Sequence, residues 1–175
     1  MTIPVVDLAD FISNDHNRKK DFVKELGKAF ENVGFVAVKN HGISATLIAE
    51  LYKDVQQFFS LPSEKKKNYE ISGLAGQRGY TSFGKEHAKG SNAPDLKEFF
   101  QYGQVVAKDH KLKYEYPDNV KVKDISGFDT TIFDAYRAFE KSGKHLLQAI
   151  ALYLGLDENY FDDFVEEGNS IVRAI

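Results

Sequence analysis

The chain has 175 residues, of which 42% are hydrophobic and 28% are charged, and its formal net charge is −3 at pH 7. These values are typical of a soluble globular protein that buries a core of its own, and they exclude the strongly basic footprint of a nucleic-acid-binding protein. The chain has no cysteine, which excludes disulfides, thiol catalysis, cysteine-bound zinc and iron–sulfur clusters.

Targeting and membrane signals are also absent from the sequence. The N-terminus lacks the basic start and apolar core of a signal peptide, and no apolar run approaches membrane-spanning length. The basic run at residues 65–67 is typical of a solvated helix end. We therefore expect a cytoplasmic protein that binds neither nucleic acid nor a membrane.

The first 40 residues alternate two short strands with an amphipathic helix. Residues 3–8 are β-branched and predict a strand, with Pro4 near its start. Residues 18–33 place apolar side chains on one helical face, and Gly34 can end that helix in a left-handed conformation. The apolar run 35–38 then predicts a buried strand.

Two further helices follow from the same periodicity. Ser44 can cap a helix that runs to about residue 60, and Pro62 suits the first turn of a short helix after it. The longest apolar stripe predicts a helix over residues 128–154. Gly143 lies on that stripe and predicts close packing against another element, at a cost of about 1 kcal/mol relative to alanine.

The stretch over residues 79–103 is the segment around which the chain is organised. It is rich in glycine and polar residues, yet it carries five aromatic side chains, which a disordered linker would lack. Long irregular segments in compact domains are usually functional or disordered. We therefore expect an ordered loop between two short strands, forming a lip over a cleft.

Polar sequence follows this stretch, and the chain closes with short elements. Residues 104–127 are expected to cross the surface. Gly155 ends the long helix, and Asp157 can cap a last short helix. Residues 170–175 begin like a strand.

A sequence pattern in this region resembles a phosphate-binding loop but is incomplete. Residues 79–85 satisfy G-x-x-x-x-G-K, but Glu86 stands where the pattern requires Ser or Thr. The hydroxyl that would hold magnesium is missing, and a carboxylate would face the phosphates instead. We do not expect a nucleotide site here.

The five histidines do not form a recognisable metal motif. No histidine has a carboxylate two positions later, and no two histidines lie three to five residues apart, so the H-x-D and H-E-x-x-H patterns are both missing. His41 follows a predicted strand and is expected to be a hydrogen-bonded turn residue. A role of His87 towards a substrate stays open. The histidines are His16, His41, His87, His110 and His145.

Arg78 allows two interpretations. An arginine beside the flexible Gly79 and the aromatic Tyr80 can clamp a substrate carboxylate with two parallel hydrogen bonds. A surface arginine paired with a loop carboxylate is the simpler interpretation, and the residues alone favour it. From its residues, then, the chain is a mixed α/β domain without a visible active centre.

Five stretches, occurring in order along the chain, resemble the N-terminal part of the isopenicillin N synthase-like family of non-haem Fe(II), 2-oxoglutarate-dependent oxygenases. They are IPVVDL at residues 3–8, GFVAVKNHGI at 34–43, FFSLPSEKK at 58–66, RGYTSFGKE at 78–86 and DLKEFF at 95–100. The resemblance implies an α+β fold: a helix-rich N-terminal domain with short strands that buttress a double-stranded β-helix, or jelly-roll, core. Residues 1–166 would form the N-terminal oxygenase-type domain, and residues 167–175 the first strand of a truncated jelly roll.

The resemblance also implies where the chemistry lies. In this family H-x-D and a distant histidine hold Fe(II), and an R-x-S pair holds 2-oxoglutarate; no residue of this chain matches these positions, so we expect no metal ligand, no cofactor ligand and no catalytic residue among its 175. The loop at 79–103 would wall the substrate entrance. Arg78, Tyr80 and Phe83 are then the candidate substrate-binding residues.

Two functional hypotheses remain open. In the first, the chain is the N-terminal portion of a dioxygenase that uses Fe(II) and usually 2-oxoglutarate to oxidise a small organic substrate. The chain alone would be inactive. It would self-associate through exposed apolar surface that faces the barrel in the full-length enzyme and through the unpaired edge of its last strand. In the second, the chain is a non-catalytic interaction module that pairs with a partner through that edge strand. An unrelated helical regulator would require the ordered motif matches to be chance.

Overall fold

The computed structural model describes residues 2–74, 76–87, 90 and 93–175. Within these ranges the chain forms six helices and five strands, arranged in two units. One unit combines Met1–Ser44 with Arg137–Glu166, and the other combines Ala45–Tyr136 with Glu167–Ile175. None of the helices in the described ranges is long and apolar enough to span a bilayer.

The first unit contains a small parallel sheet and the helices around it. Strands β1 and β2 pair in parallel, with Val6 opposite Val38. The core of this unit is a cluster of buried side chains: Val6, Leu8, Phe11, Phe22, Leu26 and Ala149. The elements are β1 (Val5–Asp7), α1 (Leu8–Phe11), α2 (His16–Asn32), β2 (Ala37–Lys39), the later part of α5 (Phe128–Tyr153) and α6 (Asp162–Val165).

Side-chain caps set the boundaries of α1 and α2. The Asp7 carboxylate accepts a hydrogen bond from the Ala9 amide at 3.0 Å, which starts α1 directly at the end of β1. Asp15 caps α2 by accepting from the amides of Asn17 and Arg18 at 2.9 and 3.2 Å. Helix α2 therefore begins two residues before the predicted start. It ends as predicted, because Gly34 adopts a φ of 78° and donates its amide to carbonyls of the last turn.

Strand β2 is not the buried strand that the apolar run predicts. The Phe35 side chain just before it is 68% exposed, and Ala37 is also exposed. The sheet has only two strands, and side chains alternate between its faces. Val6 and Val38 face the core of the unit, so Val5 and Ala37 face away from it.

The second unit contains an antiparallel sheet of three strands in the order β3-β4-β5. Tyr80 lies opposite Phe100, and Gln101 lies opposite Arg173. Both β3 and β4 are buried along their whole length. The elements are α3 (Ala45–Phe59), α4 (Ser63–Lys67), β3 (Gly79–Thr81), β4 (Phe99–Gly103), the first part of α5 and β5 (Ile171–Ala174). Ser44 directly precedes α3, and Pro62 is the residue before α4 instead of part of its first turn.

An aromatic cluster forms the core of the second unit, with Phe58 at its centre. The Phe58 side chain is 1% exposed, and its ring centroid lies 4.9 to 5.8 Å from five other aromatic rings. Tilted and edge-on aromatic pairs at these separations each contribute about 0.5–1.5 kcal/mol beyond the area that they bury. The five neighbours are Phe59, Tyr69, Tyr80, Phe100 and Phe128.

The segment 104–127 has no helix or strand, as predicted, but it does more than cross the surface. Val106, Tyr116, Val122 and Ile125 are all buried. These apolar anchors explain how a mostly polar segment keeps an ordered path, because each anchor removes apolar area from water.

A hydrogen-bond network also fixes this segment. The Tyr69 hydroxyl donates to the Asp124 carboxylate at 2.6 Å and accepts from the amides of Lys123 and Asp124 at 3.2 and 3.1 Å. The Lys65 ammonium reaches the other Asp124 oxygen at 2.6 Å. The hydrogen bond from Lys65, followed by that from Tyr69, lowers the pKa of the Asp124 carboxyl.

The bounds of helix α5 agree with the sequence prediction, but the predicted close packing at its glycine does not occur. It spans Phe128–Tyr153, and Gly155 follows it with a φ of 74°. A Cβ built on Gly143 would meet no atom within 4 Å, so the predicted close packing there is wrong. The close approach is at Gly27 of α2, where a Cβ would overlap the ring of Tyr153.

Asp157, the predicted cap of the last short helix, does not start that helix. Its carboxylate accepts a hydrogen bond from the Asn159 amide at 2.9 Å, but α6 begins only at Asp162.

The two helical glycines make a matched pair of substitutions. Gly143→Ala should raise the free energy of unfolding by up to about 1 kcal/mol, because alanine is the better helix former and the site is open. Gly27→Ala should lower the free energy of unfolding by about 1–3 kcal/mol, because the new methyl group displaces the Tyr153 ring. Urea unfolding followed by circular dichroism measures both changes. A stabilised Gly27→Ala variant would contradict the packing described for α2.

The depressed pKa of Asp124 predicts a pH dependence. A carboxyl whose pKa is lower in the folded state stabilises the fold above its unfolded pKa, and this contribution is lost as the pH falls through the folded value. Asp124→Asn should therefore be less stable than wild type at pH 7, and the difference should shrink below about pH 4. Urea unfolding of both proteins between pH 2.5 and 7 measures this difference, and a difference that is constant over the range would contradict the prediction.

Candidate functional site

The organising stretch, residues 79–103, folds as a hairpin. Strands β3 and β4 are its two ends, and the ladder continues towards the tip through the Asp95 amide, which donates to the Glu86 carbonyl at 2.8 Å, and through a bridge between His87 and Pro94. Four residues of the stretch, 88, 89, 91 and 92, lie outside the described residues. In the described part, the hairpin is the ordered segment between two short strands that the sequence predicts. That it forms a lip over a cleft stays a prediction.

A buried ion pair holds the base of the hairpin. The Lys66 ammonium lies 3.0 and 2.7 Å from the two Glu98 oxygens and donates to the Phe59 carbonyl at 3.0 Å. The Lys66 and Glu98 side chains are only 8% and 16% exposed. The expectation that residues 65–67 are a solvated helix end is therefore wrong for Lys66, because α4 turns this one lysine inward to a carboxylate and a carbonyl.

Tyr80 completes this cluster, which we call the buried triad (Lys66, Tyr80 and Glu98). Its hydroxyl donates to the Glu98 carboxylate at 2.6 Å, and the Lys66 ammonium lies 5.7 Å from the centre of its ring. Burial, and then the hydrogen bond to Glu98, raise the pKa of the Tyr80 hydroxyl far above its ordinary value. Tyr80 therefore remains a hydrogen-bond donor at any physiological pH.

A second set of charges joins the tip of the hairpin to β5. Glu86 accepts from the Lys97 ammonium at 2.9 Å, and the Arg173 guanidinium lies 3.5 Å from its other oxygen. Arg173 also donates to the Gln101 side chain at 2.6 Å and stacks 4.2 Å over the ring of Phe99. The carboxylate that breaks the phosphate-binding pattern is thus engaged by two cations. Residues 79–81 of that pattern form a strand, which agrees with its exclusion.

Arg78 is buried, and its surroundings contradict the simpler of its two interpretations. Its side chain is 0% exposed, and no described carboxylate forms an ion pair with it, so the interpretation as a paired surface arginine is wrong. Its guanidinium donates to the Gln77 carbonyl at 2.8 Å and to the Asn169 side chain at 3.4 Å, while its Nε has no described partner. Burial lowers the pKa of Arg78. The guanidinium packs against Gly103 so closely that any Cβ there would overlap it.

The three candidate substrate-binding residues differ in exposure. Arg78 and Tyr80 are buried beside β4, whereas the Phe83 side chain, nearer the hairpin tip, is 57% exposed. Contact of any of them with a substrate stays a prediction. Sequence reasoning missed Lys66, Glu98 and Arg173, because their charged partners lie 32 to 87 residues away along the chain. The DLKEFF motif contains Glu98 and was the available signal for it.

The histidines do not converge in the described part of the chain. His41 is the hydrogen-bonded turn residue that the sequence predicts, because its Nδ1 accepts from the Ile43 amide at 3.2 Å. His110 lies 2.8 Å from the Glu167 carboxylate, and His145 lies 3.3 Å from the Gln148 side chain. No group of three His, Asp or Glu side chains among the described residues could hold a metal ion. These residues therefore do not fit an Fe(II) site, and no reaction step follows from them.

The buried ion pair can be tested against an exposed pair on the same helix. Lys66→Met should lower the free energy of unfolding by about 3–5 kcal/mol, because it leaves the Glu98 charge buried without a cation. Lys67→Met, which removes only the solvent-exposed pair with Glu64, should change it by less than about 1 kcal/mol. Urea unfolding measures both, and equal effects of the two substitutions would show that Lys66 is not buried in a charge pair.

Comparison with known proteins places this geometry in a family. The family described as non-haem dioxygenase in morphine synthesis N-terminal matches residues 3–123. The chain is 30% identical over 166 residues to 1-aminocyclopropane-1-carboxylate oxidase from Dictyostelium mucoroides, covering 91% of this chain and 44% of that protein. It is 31% identical over 179 residues to proline hydroxylase buaE from Petromyces alliaceus, covering 99% of this chain and 54% of that protein.

Solved structures give the same result. A 2OG-Fe(II) oxygenase family protein from Caulobacter crescentus has a TM-score of 0.86 at 32% identity, over 98% of this chain and 55% of that one. A full-length Neurospora crassa protein in complex with alpha-KG has a TM-score of 0.80 at 28% identity, over 98% and 53%. The chain spans about half the length of the curated relatives it matches. It belongs to the family of non-haem dioxygenase N-terminal domains, within the 2OG-Fe(II) oxygenases.

Proposed function

We propose that the chain is the N-terminal portion of an Fe(II)- and 2-oxoglutarate-dependent oxidoreductase that oxidises a small organic substrate. The observation that carries the proposal is the match of residues 3–123 to an N-terminal family, together with coverage of only 44–54% of the matched relatives. In this proposal Fe(II) and 2-oxoglutarate are held by residues outside the 175, and the chain alone is inactive. Residues 1–166 are the N-terminal domain, and residues 167–175 begin the jelly-roll core.

Exposed apolar surface in the first unit supports this proposal. Ile3, Val5 and Phe35 are between 52% and 68% exposed, and they alternate with inward-facing residues on the β1 and β2 segments. Burying a large apolar side chain is favourable by about 1.5–3 kcal/mol. A sheet face of this kind is therefore typical of a surface that a further domain covers.

Strand β5 supports the proposal in the second unit. Within the described residues it pairs only with β4, and its second edge has no strand beside it. Ile175, directly after it, is 72% exposed. An unpaired edge readily accepts another strand, as the first strand of a continuing jelly roll would.

The hairpin is the part of this chain that we assign to the substrate entrance. Bound Fe(II) and 2-oxoglutarate would supply the oxidising chemistry, while the hairpin would wall the entrance and keep water from it. Phe83 is exposed and available for direct contact with a substrate. Arg78 and Tyr80 lie beneath the surface, so they reach a substrate only if the hairpin shifts, and otherwise they hold the wall in place.

The unpaired edge of β5 also favours a second possible function, that of a non-catalytic interaction module. The chain would be a non-catalytic module that pairs with itself or with another chain through β5. The exposed apolar side chains would then form an interface instead of a seam between domains. The two functions differ in whether a metal site is encoded after Ile175.

Activity of an extended chain tests the proposed function. The 175-residue chain and a version extended by the downstream-encoded residues are each supplied with Fe(II), ascorbate, O2 and 2-oxoglutarate, and succinate is measured. The extended chain should release succinate even without its own substrate, by slow uncoupled turnover, and the 175-residue chain should release none.

The matched control is the extended chain with the histidine of its H-x-D pattern changed to alanine, which should also release none. Succinate release by the 175-residue chain, or by this control, would contradict the assignment of the iron ligands. An extended chain that folds and releases no succinate would favour the interaction module.

A further inference from the structure

A cavity in the second unit lies away from the buried triad and is not used by the proposed function. Its volume is about 370 Å³, within the range of small-molecule pockets. Its walls come from the segment 104–106, the segment 117–121, Tyr102 of β4 and the first turn of α5. Four of the lining side chains are apolar: Val105, Val106, Pro117 and Val120.

Two opposite charges line this cavity without neutralising each other. Lys121 and Asp129 both contribute to its wall, yet neither forms an ion pair with any described residue. The other lysine of the lining, Lys113, is already paired with Asp118. An ammonium and a carboxylate are thus available at one apolar cavity.

The backbone beside Lys121 lies close to Asp129. One Asp129 oxygen accepts the amide of Val122, the residue after Lys121, at 2.9 Å. Asp129 also lies in the first turn of a 26-residue helix, where the helix dipole favours a negative charge. The charge of Asp129 is felt inside the cavity, because it adds to burial in raising the pKa of the Tyr102 hydroxyl.

We propose that this cavity binds a free amino acid with an apolar side chain. The ligand carboxylate would pair with the Lys121 ammonium, and the ligand ammonium would pair with the Asp129 carboxylate. Because Lys121 and Asp129 form no ion pair with each other, a ligand that carries an ammonium and a carboxylate on the same carbon would bridge them. The aliphatic side chain of the ligand would lie against the valines and the proline. The inference does not depend on the proposed function, since it concerns only residues of this chain.

Titration calorimetry with the 175-residue chain tests the requirement for both charges. The probe is L-leucine, compared with 4-methylpentanoate, which lacks the ammonium, and with isoamylamine, which lacks the carboxylate. Leucine should bind at least about tenfold more tightly than either analogue, because each analogue leaves one protein charge without its partner. Absence of leucine binding at 10 mM, or equal binding of an analogue, would overturn the proposal.

Substitutions locate the site. Lys121→Met and Asp129→Asn should each weaken leucine binding about tenfold, since each removes one charge–charge contact. Asp129→Asn keeps an oxygen acceptor for the Val122 amide, and the Lys121 side chain is exposed, so both variants should remain folded. Lys123→Met is the control: Lys123 is an exposed lysine two positions along that does not line the cavity, and its loss should leave binding unchanged.

The comparison between variants decides the outcome. Leucine binding that is unaffected by both Lys121→Met and Asp129→Asn would overturn the proposal, as would an equal loss in Lys123→Met. Because the measurement uses no iron, no 2-oxoglutarate and no downstream residues, its result is separate from that of the succinate assay.

Discussion

The contact between Lys66 and Glu98 is the constraint on which the second unit depends most. It joins α4 to the residue directly before β4, and through Tyr80 it also holds β3. A buried ion pair contributes little net stability when compared with an apolar substitute, but removing one partner is costly. We therefore expect the pair to specify which residue of α4 faces inward more than to add net stability. The aromatic cluster around Phe58 includes Tyr80 of β3 and Phe100 of β4, so it packs on the same two strands.

The charged side chains of the hairpin form two groups at different positions along it. The buried triad lies at its base, and the contacts of Glu86 with Lys97 and Arg173 lie towards its tip. The contacts of Glu86 involve partly exposed side chains and are worth little each. Arg78, buried beside Gly103, is the exception: no carboxylate in the described part of the chain forms an ion pair with it, and a desolvated cation without a carboxylate is costly.

The local structure of the chain could largely be predicted, because it follows from periodicity and from single residues. The long helix, the glycine that ends α2 and the strands at both ends of the hairpin all follow from patterns a few residues long. The start of α2 was misplaced because Asp15 extends the helix beyond its apolar face. The wrong predictions of burial, for β2, Lys66 and Arg78, depend on what packs against each of them, which a single sequence does not show. The partners of Arg78 and Arg173 lie up to 91 residues away, so the candidate site could be located but not built from the sequence.

The central claim is that this chain is one half of an oxygenase, and the reading frame beyond the codon for Ile175 tests it most directly. The account predicts that the frame stays open and encodes an H-x-D pattern, a later histidine and an R-x-S pair within a jelly-roll-sized stretch. A stop codon directly after Ile175 would contradict it. The exposed face of β1 and β2 and the free edge of β5 would then be surfaces for a separate partner.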